Sequence, residues 1–227
     1  MVGMDILQQL LEAENKAWQL LAVAEERKFF TPNQTEKDLS NRLYDLAFEL
    51  YGIKKYWHKR IVRSGKNTLF PYAENPPDLA IQPDDILFID FGPVFEKWEA
   101  DIGKTYVIGG DARKEKLRRD VELVWDEGRD FYLANKEHLT GADFYNHTKK
   151  IAAEYGWQFG NIHAGHLIGQ FPHEVIAGEK VINYIHKDND TLMCQTYPDG
   201  AERYWIYEVH LIDPANEIGA FYEKVLC

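Results

Sequence analysis

Four carboxylates stand in stretches whose neighbours are strand-forming and apolar. Asp90 lies inside Ile86-Leu87-Phe88-Ile89-Asp90-Phe91, and Asp101 heads the run Asp101-Ile102-Gly103-Lys104-Thr105-Tyr106-Val107-Ile108. A buried carboxylate must shed its hydration, which makes it among the worst residues for such a strand. If the two runs form a hairpin with an even-length turn, Asp90 and Asp101 face each other with Cβ atoms about 4.5–5.5 Å apart. The C-terminal stretch repeats the plan. Tyr204 to Ile212 carries Glu208 in its middle, Asp213-Pro214-Ala215-Asn216-Glu217 is turn chemistry, and Ile218 to Leu226 is the return strand. With a four-residue loop at 214–217, Glu208 is opposite Glu223. One such pair is readily explained as an outward carboxylate on an exposed sheet face. Two pairs in apolar strands call for something between the charges, because opposed carboxylates repel unless a proton or cation separates them.

A nitrogen-rich element completes the set. His163-Ala164-Gly165-His166-Leu167-Ile168-Gly169-Gln170-Phe171-Pro172-His173 places three of the chain's eight histidines close together, among glycines that permit close backbone approach. Imidazole is the commonest nitrogen ligand for divalent metals. Four carboxylates and one neutral imidazole balance two divalent cations, and an oxygen-rich set of this kind suits Mn(II) or Co(II), with Fe(II) or Zn(II) also compatible. A water held between two such ions is acidified to a hydroxide nucleophile near neutral pH, which fits hydrolysis of an amide or a related bond.

The elements that must hold these residues follow from periodicity. Residues 4–28 read as a helix with apolar residues near helical spacing, broken at Phe29-Phe30-Thr31-Pro32. Thr35 is an N-cap with Asp38 in the capping-box position, and the helix it opens runs to Leu50-Tyr51 with Gly52 as its stop. Residues 53–85 are loop with short strands. Further helices are expected at 113–135 and 141–155, and strands near 158–163, 173–177, 204–212 and 218–226. An internal echo (helix, break, helix, Tyr-Gly, then β structure) appears at Tyr51-Gly52 and again at Tyr155-Gly156. It points to an α+β fold of two similar halves with a site between them.

Composition excludes several classes. The 227 residues carry 26 Lys+Arg against 37 Asp+Glu, a net charge of −11, the opposite of the basic footprint a nucleic-acid binder needs. The same acidity disfavours an anionic membrane surface. No run of about 18 apolar residues is present, and the N-terminal stretch has no signal-peptide pattern. Cys194 and Cys227 make no disulfide framework. The expectation is a cytoplasmic protein without nucleic-acid or membrane partners, forming a single catalytic domain over residues 1–227; a homodimer is compatible with the sequence.

The motifs Ile89-Asp90-Phe91-Gly92-Pro93, Ala100-Asp101-Ile102-Gly103-Lys104-Thr105, Gly165-His166-Leu167-Ile168-Gly169 with His173-Glu174, and Glu208 and Glu223 together resemble the pita-bread metallopeptidases. That family includes methionine aminopeptidases, Xaa-Pro aminopeptidases, prolidases and creatinases. The resemblance spans roughly residues 86–226 and implies a pita-bread α+β fold, with pseudo-twofold αα-β halves and a curved antiparallel sheet covered by helices. It implies a dinuclear site in which Asp90 chelates one ion, Asp101 and Glu223 bridge, and His166 and Glu208 hold the second. Glu208 would also shuttle a proton to the leaving amine. His173 would contact substrate and steady the tetrahedral intermediate, and His163 would add a substrate contact as in the Xaa-Pro branch. The implied activity is that of an Xaa-Pro aminopeptidase-like or prolidase-like exopeptidase acting on a small peptide. The alternatives are a creatinase-like hydrolase of a non-peptide C–N bond and a pita-bread module that binds peptide or protein without cutting it.

The chain departs from the family at four points. The usual histidine about 17 residues before the first aspartate is replaced by Pro71-Tyr72, and His58 lies too far upstream to match without an insertion. The fourth ligand sits in Tyr207-Glu208-Val209-His210 rather than Glu-Pro-Gly. Lys104 stands where Arg is common. The extra N-terminal domain of longer Xaa-Pro aminopeptidases and creatinases is not seen.

Overall fold

Four helices carry the packing that positions the site. Helix α1 (Ile6–Glu26) buries one stripe that includes Leu10, Ala13, Ala17, Leu20 and Leu21. Helix α2 (Glu36–Tyr51) opens with the expected capping box, in which Thr35 Oγ1 accepts from the Asp38 N–H and the Asp38 carboxylate accepts from the Thr35 N–H. Gly52 ends it at φ 68°, a left-handed conformation that costs glycine no Cβ clash. Helices α3 (Ala112–Asn135) and α4 (Gly141–Glu154) repeat the plan, and α4 opens with a second capping box between Thr140 and Asp143. The computed structural model describes residues 5–172 and 180–227.

The strands are β1 (Ile61–Ser64), β2 (Ile86–Phe91), β3 (Val94–Phe95), β4 (Trp98–Glu99), β5 (Ile102–Val107), β6 (Gln158–Phe159), β7 (His163–Ile168), β8 (Tyr184–His186), β9 (Tyr204–Asp213) and β10 (Ile218–Val225). They form one antiparallel sheet in the order β1-β2-β5-β10-β9-β7-β8, with β6 beside β9 and the β3-β4 pair set apart. The first half contributes β1-β2-β5 and the second β10-β9-β7-β8, so the halves meet edge to edge at β5 and β10. This is the pita-bread arrangement, with the internal echo as its sequence trace.

Alternation along the strands separates two faces. Leu87, Ile89 and Phe91 pack with α1 and α2, while Val209, Leu211 and Tyr207 pack with α3 and α4. The intervening residues Phe88, Asp90, Glu208 and His210 point to the opposite face, where the acids collect. At the seam between halves the Thr105 side chain replaces part of the backbone ladder. Its hydroxyl donates to the Phe221 carbonyl and accepts from the Phe221 N–H, each at 2.8 Å.

Two sequence expectations need correction. Asp90 pairs with Gly103, and Asp101 lies just before β5, so the two aspartates are offset along the sheet rather than directly opposed. The connection between β2 and β5 is no simple turn: it contains the β3-β4 hairpin, with Glu96 at φ 58°. The expected strand 158–163 is split, because β6 ends at Phe159 and β7 begins at His163. The expected strand 173–177, with His173 and Glu174, lies outside the described residues.

Candidate metal centre

The β9-β10 hairpin sets Glu223 directly opposite Glu208, as the four-residue loop requires. Glu223 is 2% exposed, and among the described residues its buried Oε1 has no hydrogen-bond partner. Gly103 makes its approach to the first half feasible: a Cβ there would lie 2.5 Å from Phe221 Cδ1 and 3.0 Å from Glu223 Cγ. Asp101 is 1% exposed and sits between two imidazoles. His166 Nε2 is 3.1 Å from its Oδ2, and His58 Nε2 is 3.1 Å from its Oδ1 and 3.5 Å from Asp90 Oδ1.

Both histidines are oriented the same way. Nδ1 of His166 donates to the Leu167 carbonyl at 2.8 Å, and Nδ1 of His58 donates to the Lys59 carbonyl at 2.7 Å. A carbonyl can only accept, so each ring carries its proton on Nδ1 and turns Nε2 toward the carboxylates. Metal-binding histidines are held in this manner by an outer partner. Two trios of ligand atoms result, His58-Asp90-Asp101 and Asp101-His166-Glu223, each with its atoms within 4.8 Å of one another.

Burial and mutual charge set the protonation of the cluster. Burial pushes Asp90 up to about 7 despite the nearby His58 charge. Burial, with Asp101, Asp90 and Glu208 close by, pushes Glu223 well above the carboxylate range. For Asp101 the two histidines outweigh burial and hold it at about 2. For His58 and His166 burial is in turn outweighed by the acids, Asp90 and Asp101 for the first and Asp101 and Glu208 for the second, which raise both to about 9. These directions are those of acids crowded together, whose repulsion only protons or cations relieve. The donor chemistry, the two convergent trios and the orphaned Glu223 oxygen fit divalent cations.

Glu208 faces the same cavity of about 440 Å³. Asn161 Nδ2 donates to its Oε1 at 3.2 Å, and His163 Nδ1 lies against the same oxygen without hydrogen-bond alignment. The cavity walls include Trp57, Phe70, Tyr72, Phe88, Tyr184 and Phe221. Trp205 and Tyr207, neighbours of Glu208 in sequence, are instead buried in the helix-side core.

The sequence pattern of metallopeptidase family M24 matches residues 8–196. The chain belongs to that family. M24 relatives include the Xaa-Pro dipeptidases of Pyrococcus furiosus, 26% identical over 171 residues, and of Lactobacillus delbrueckii subsp. lactis, 27% identical over 124 residues. These alignments cover 75% and 54% of this chain and 47% and 33% of the relatives. The chain therefore spans about half the length of the first of them or less. Two solved structures share the M24 fold. A dipeptidase from Pyrococcus horikoshii superposes with a TM-score of 0.73 at 20% identity, covering 98% of this chain and 57% of the other. An X-Pro aminopeptidase from Thermotoga maritima gives 0.71 at 21%, covering 97% and 58%.

His58 is the residue that sequence spacing misses. The loop before β1 runs on beside β2: Trp57 N–H donates to the Gly92 carbonyl at 2.9 Å, and Val94 N–H to the Lys55 carbonyl at 3.0 Å. Residues 65–85 loop out between these segments, so the long count to Asp90 hides a close approach. Gly92 completes the fit, since a Cβ there would lie 2.2 Å from His58 Cδ2. Pro71 and Tyr72, where an upstream histidine was expected, stand on the cavity wall, with the Tyr72 ring 5.8 Å from that of His58. The signal available in sequence was Gly92 itself, a glycine directly after an apolar strand.

Proposed function

We propose that residues 1–227 form a metal-dependent exopeptidase domain, prolidase-like or Xaa-Pro aminopeptidase-like. The observation that carries the reading is the convergence of Asp90, Asp101, Glu208 and Glu223 with His166 on one cavity. Asp90, Asp101 and His58 would hold one divalent ion, and Asp101, Glu223, His166 and Glu208 the other, with Mn(II) or Co(II) the cations favoured by so many oxygen donors. Such ions supply Lewis acidity and lower the pKa of bound water.

The chain's own groups do the rest. Glu208 accepts a proton at a carboxylate oxygen and returns it to the leaving amine, with Asn161 fixing the orientation of Oε1. His163 and His173 are the substrate contacts. The buried rings of Phe88 and Phe221 limit water on one wall of the cavity. A binding module without catalysis has one feature in its favour, Tyr72 in place of the usual histidine; His58 restores an imidazole to the same wall. The Cys194 and Cys227 thiols are both free, which supports a cytoplasmic setting, and no helix among the described residues is long and apolar enough to cross a membrane.

The test is elemental analysis joined to a peptide-library cleavage screen in added Mn(II) or Co(II). Two bound ions and release of an N-terminal residue ahead of proline are expected. A metal-free protein that cleaves nothing under these conditions overturns the reading.

A further inference from the structure

A basic ridge borders the cavity in a chain that is acidic overall. Residues 50–73 hold Lys54, Lys55, Lys59, Arg60, Arg63 and Lys66 and no Asp or Glu, against a net charge of −11 for the whole chain. Arg63 is buried, but Lys54, Lys55 and Lys66 are exposed, and Lys59 and Arg60 are half-buried. Trp57 and His58, in the middle of the run, line the cavity, and the Trp57 ring lies 5.2 Å from that of His166. The exposed Lys97 joins from the β3-β4 hairpin. The Phe171 N–H donates to the Lys97 carbonyl at 2.9 Å, and Lys55 Nζ stands 4.6 Å from the centre of the Phe171 ring. Lys55 and Lys97 thus flank Phe171, with Lys54 next in the chain.

The protein's own acids do not neutralise these cations. Among the described residues none of Lys54, Lys55, Lys59, Arg60, Lys66 and Lys97 forms an ion pair; Glu49, at the margin of the ridge, is taken by Arg27. Lys59 Nζ donates to the Glu74 carbonyl and to Asn75 Oδ1, neutral acceptors that leave its charge standing. Aromatic rings hold the cations instead. Lys54 Nζ is 5.1 Å from the centre of the Phe48 ring, Lys59 Nζ 4.4 Å from that of Tyr72, and Lys97 Nζ 5.1 Å from that of Trp98. The Arg60 guanidinium lies 4.5 Å from the Tyr44 ring and 5.1 Å from the Tyr56 ring. A ring attracts a cation without cancelling its charge, so the ridge presents a positive field fixed in place.

The partner's chemistry follows from these contacts. Rings already occupied by cations are poor platforms for stacked bases, the usual hold on a single nucleic-acid strand. Ammonium groups are compact point charges on flexible stems, suited to carboxylates arriving in varied geometries. From Lys55 to Lys59 the ridge extends at most about 14 Å, the length of about four residues of extended chain. Resting on the peptidase reading above, we infer that the ridge docks an acidic stretch of polypeptide, about four residues long, carried by the substrate outside the cavity while its N-terminal residues lie at the acid cluster. Each exposed pair contributes little alone, so the effect is collective and screened by salt.

The test uses the Mn(II)-loaded chain and peptides beginning Ala-Pro-Gly-Gly, continued by four glutamates, four glutamines or four lysines and ending in a neutral dye. Labelled oligouridylate is the fourth probe. Binding is read by fluorescence anisotropy and cleavage by release of alanine. At about 0.1 M NaCl the glutamate peptide is expected to bind about tenfold more tightly than the glutamine peptide, as four exposed pairs together allow, and the lysine peptide more weakly still. At about 1 M NaCl the difference should vanish. The triple variant Lys54→Gln, Lys55→Gln, Lys97→Gln changes only exposed side chains. It is expected to lose most of the preference while releasing alanine from the glutamine peptide at the wild-type rate. Equal binding of the glutamate and glutamine peptides by the wild type overturns the inference, as does binding of neither, or a preference undiminished in the triple variant. Oligouridylate bound more tightly than the glutamate peptide also overturns it and makes the ridge a nucleic-acid surface. Alanine release without an acid preference sinks this inference and leaves the peptidase reading standing. A ridge-dependent acid preference without alanine release does the reverse.

Discussion

Replacing Glu223 by Gln should move stability in opposite directions with and without metal. Glu223 and Glu208 are directly opposed and buried. Two full charges about 5 Å apart at an effective dielectric of about 20 repel by about 3 kcal/mol. Gln removes that repulsion and offers amide donors to neighbouring carboxylates. For a chain of this size 1 kcal/mol corresponds to roughly 2–4 °C in Tm, so at a pH above the raised Glu223 pKa the variant in EDTA should melt up to roughly 10 °C above the wild type. The gain depends on pH in a defined sense. Glu223 and Asp90 have raised folded pKa values, so the folded state holds protons that the unfolded state releases. Wild-type stability in EDTA therefore falls as pH rises from the ordinary carboxylate range through the raised values, and the Gln variant falls less. The gap is small near pH 4 and widest above pH 7. Metal reverses the order. At a free ion concentration 100 times Kd the wild type gains about 2.7 kcal/mol, and the variant, short of a proposed ligand, is expected to gain far less. Thermal melts from pH 4 to 9 in EDTA and in excess Mn(II) measure both effects. A variant less stable than wild type in EDTA, or one with an undiminished Mn(II) shift, would refute the electrostatic account.

Other expectations follow from single contacts. His58→Ala should weaken metal binding by at least the 10–100-fold typical of lost outer partners; an unchanged titration curve would remove His58 from the centre. Metal loading should expel protons from the raised carboxyls, so calorimetric enthalpies in buffers of different ionisation heat should diverge, and coincident enthalpies would contradict the assigned protonation. Gly165→Ala should cost more than about 4 kcal/mol, because Gly165 sits at φ 135° and a Cβ there would lie 2.0 Å from the Ile206 carbonyl oxygen; a melt within 2 °C of wild type would contradict that crowding. Tyr207→Phe removes a buried hydroxyl contact to Thr148 Oγ1 at 3.0 Å and should cost about 1 kcal/mol without altering metal affinity, since Tyr207 packs on the helix side.

Much of this architecture is legible in residue order because its rules are local. Thr35, Asp38 and Gly52 mark a helix start and stop by chemistry confined to one turn. Glu208 and Glu223 are aligned by a short loop of turn residues, so counting outward from Pro214 suffices. Counting fails where the connection has structure of its own. Asp90 and Asp101 are offset because β3 and β4 intervene, and the split between Phe159 and His163 gives no periodic warning. His58 was hidden by the same difficulty at larger scale. Spatial neighbours brought together by a long excursion leave no spacing to read, and only glycines at the points of close approach betray them.

The join at β5 and β10 has a consequence for how the protein holds together. Asp90, Asp101 and His58 come from one side of that join, and His166, Glu208 and Glu223 from the other, while Thr105 stands in for part of the ladder between them. On the proposed assignment, neither side alone would supply a full coordination sphere. Cations bound there would act as rivets, and a chain cut in the link between β5 and α3 should yield two pieces whose reassembly is governed by the supply of metal.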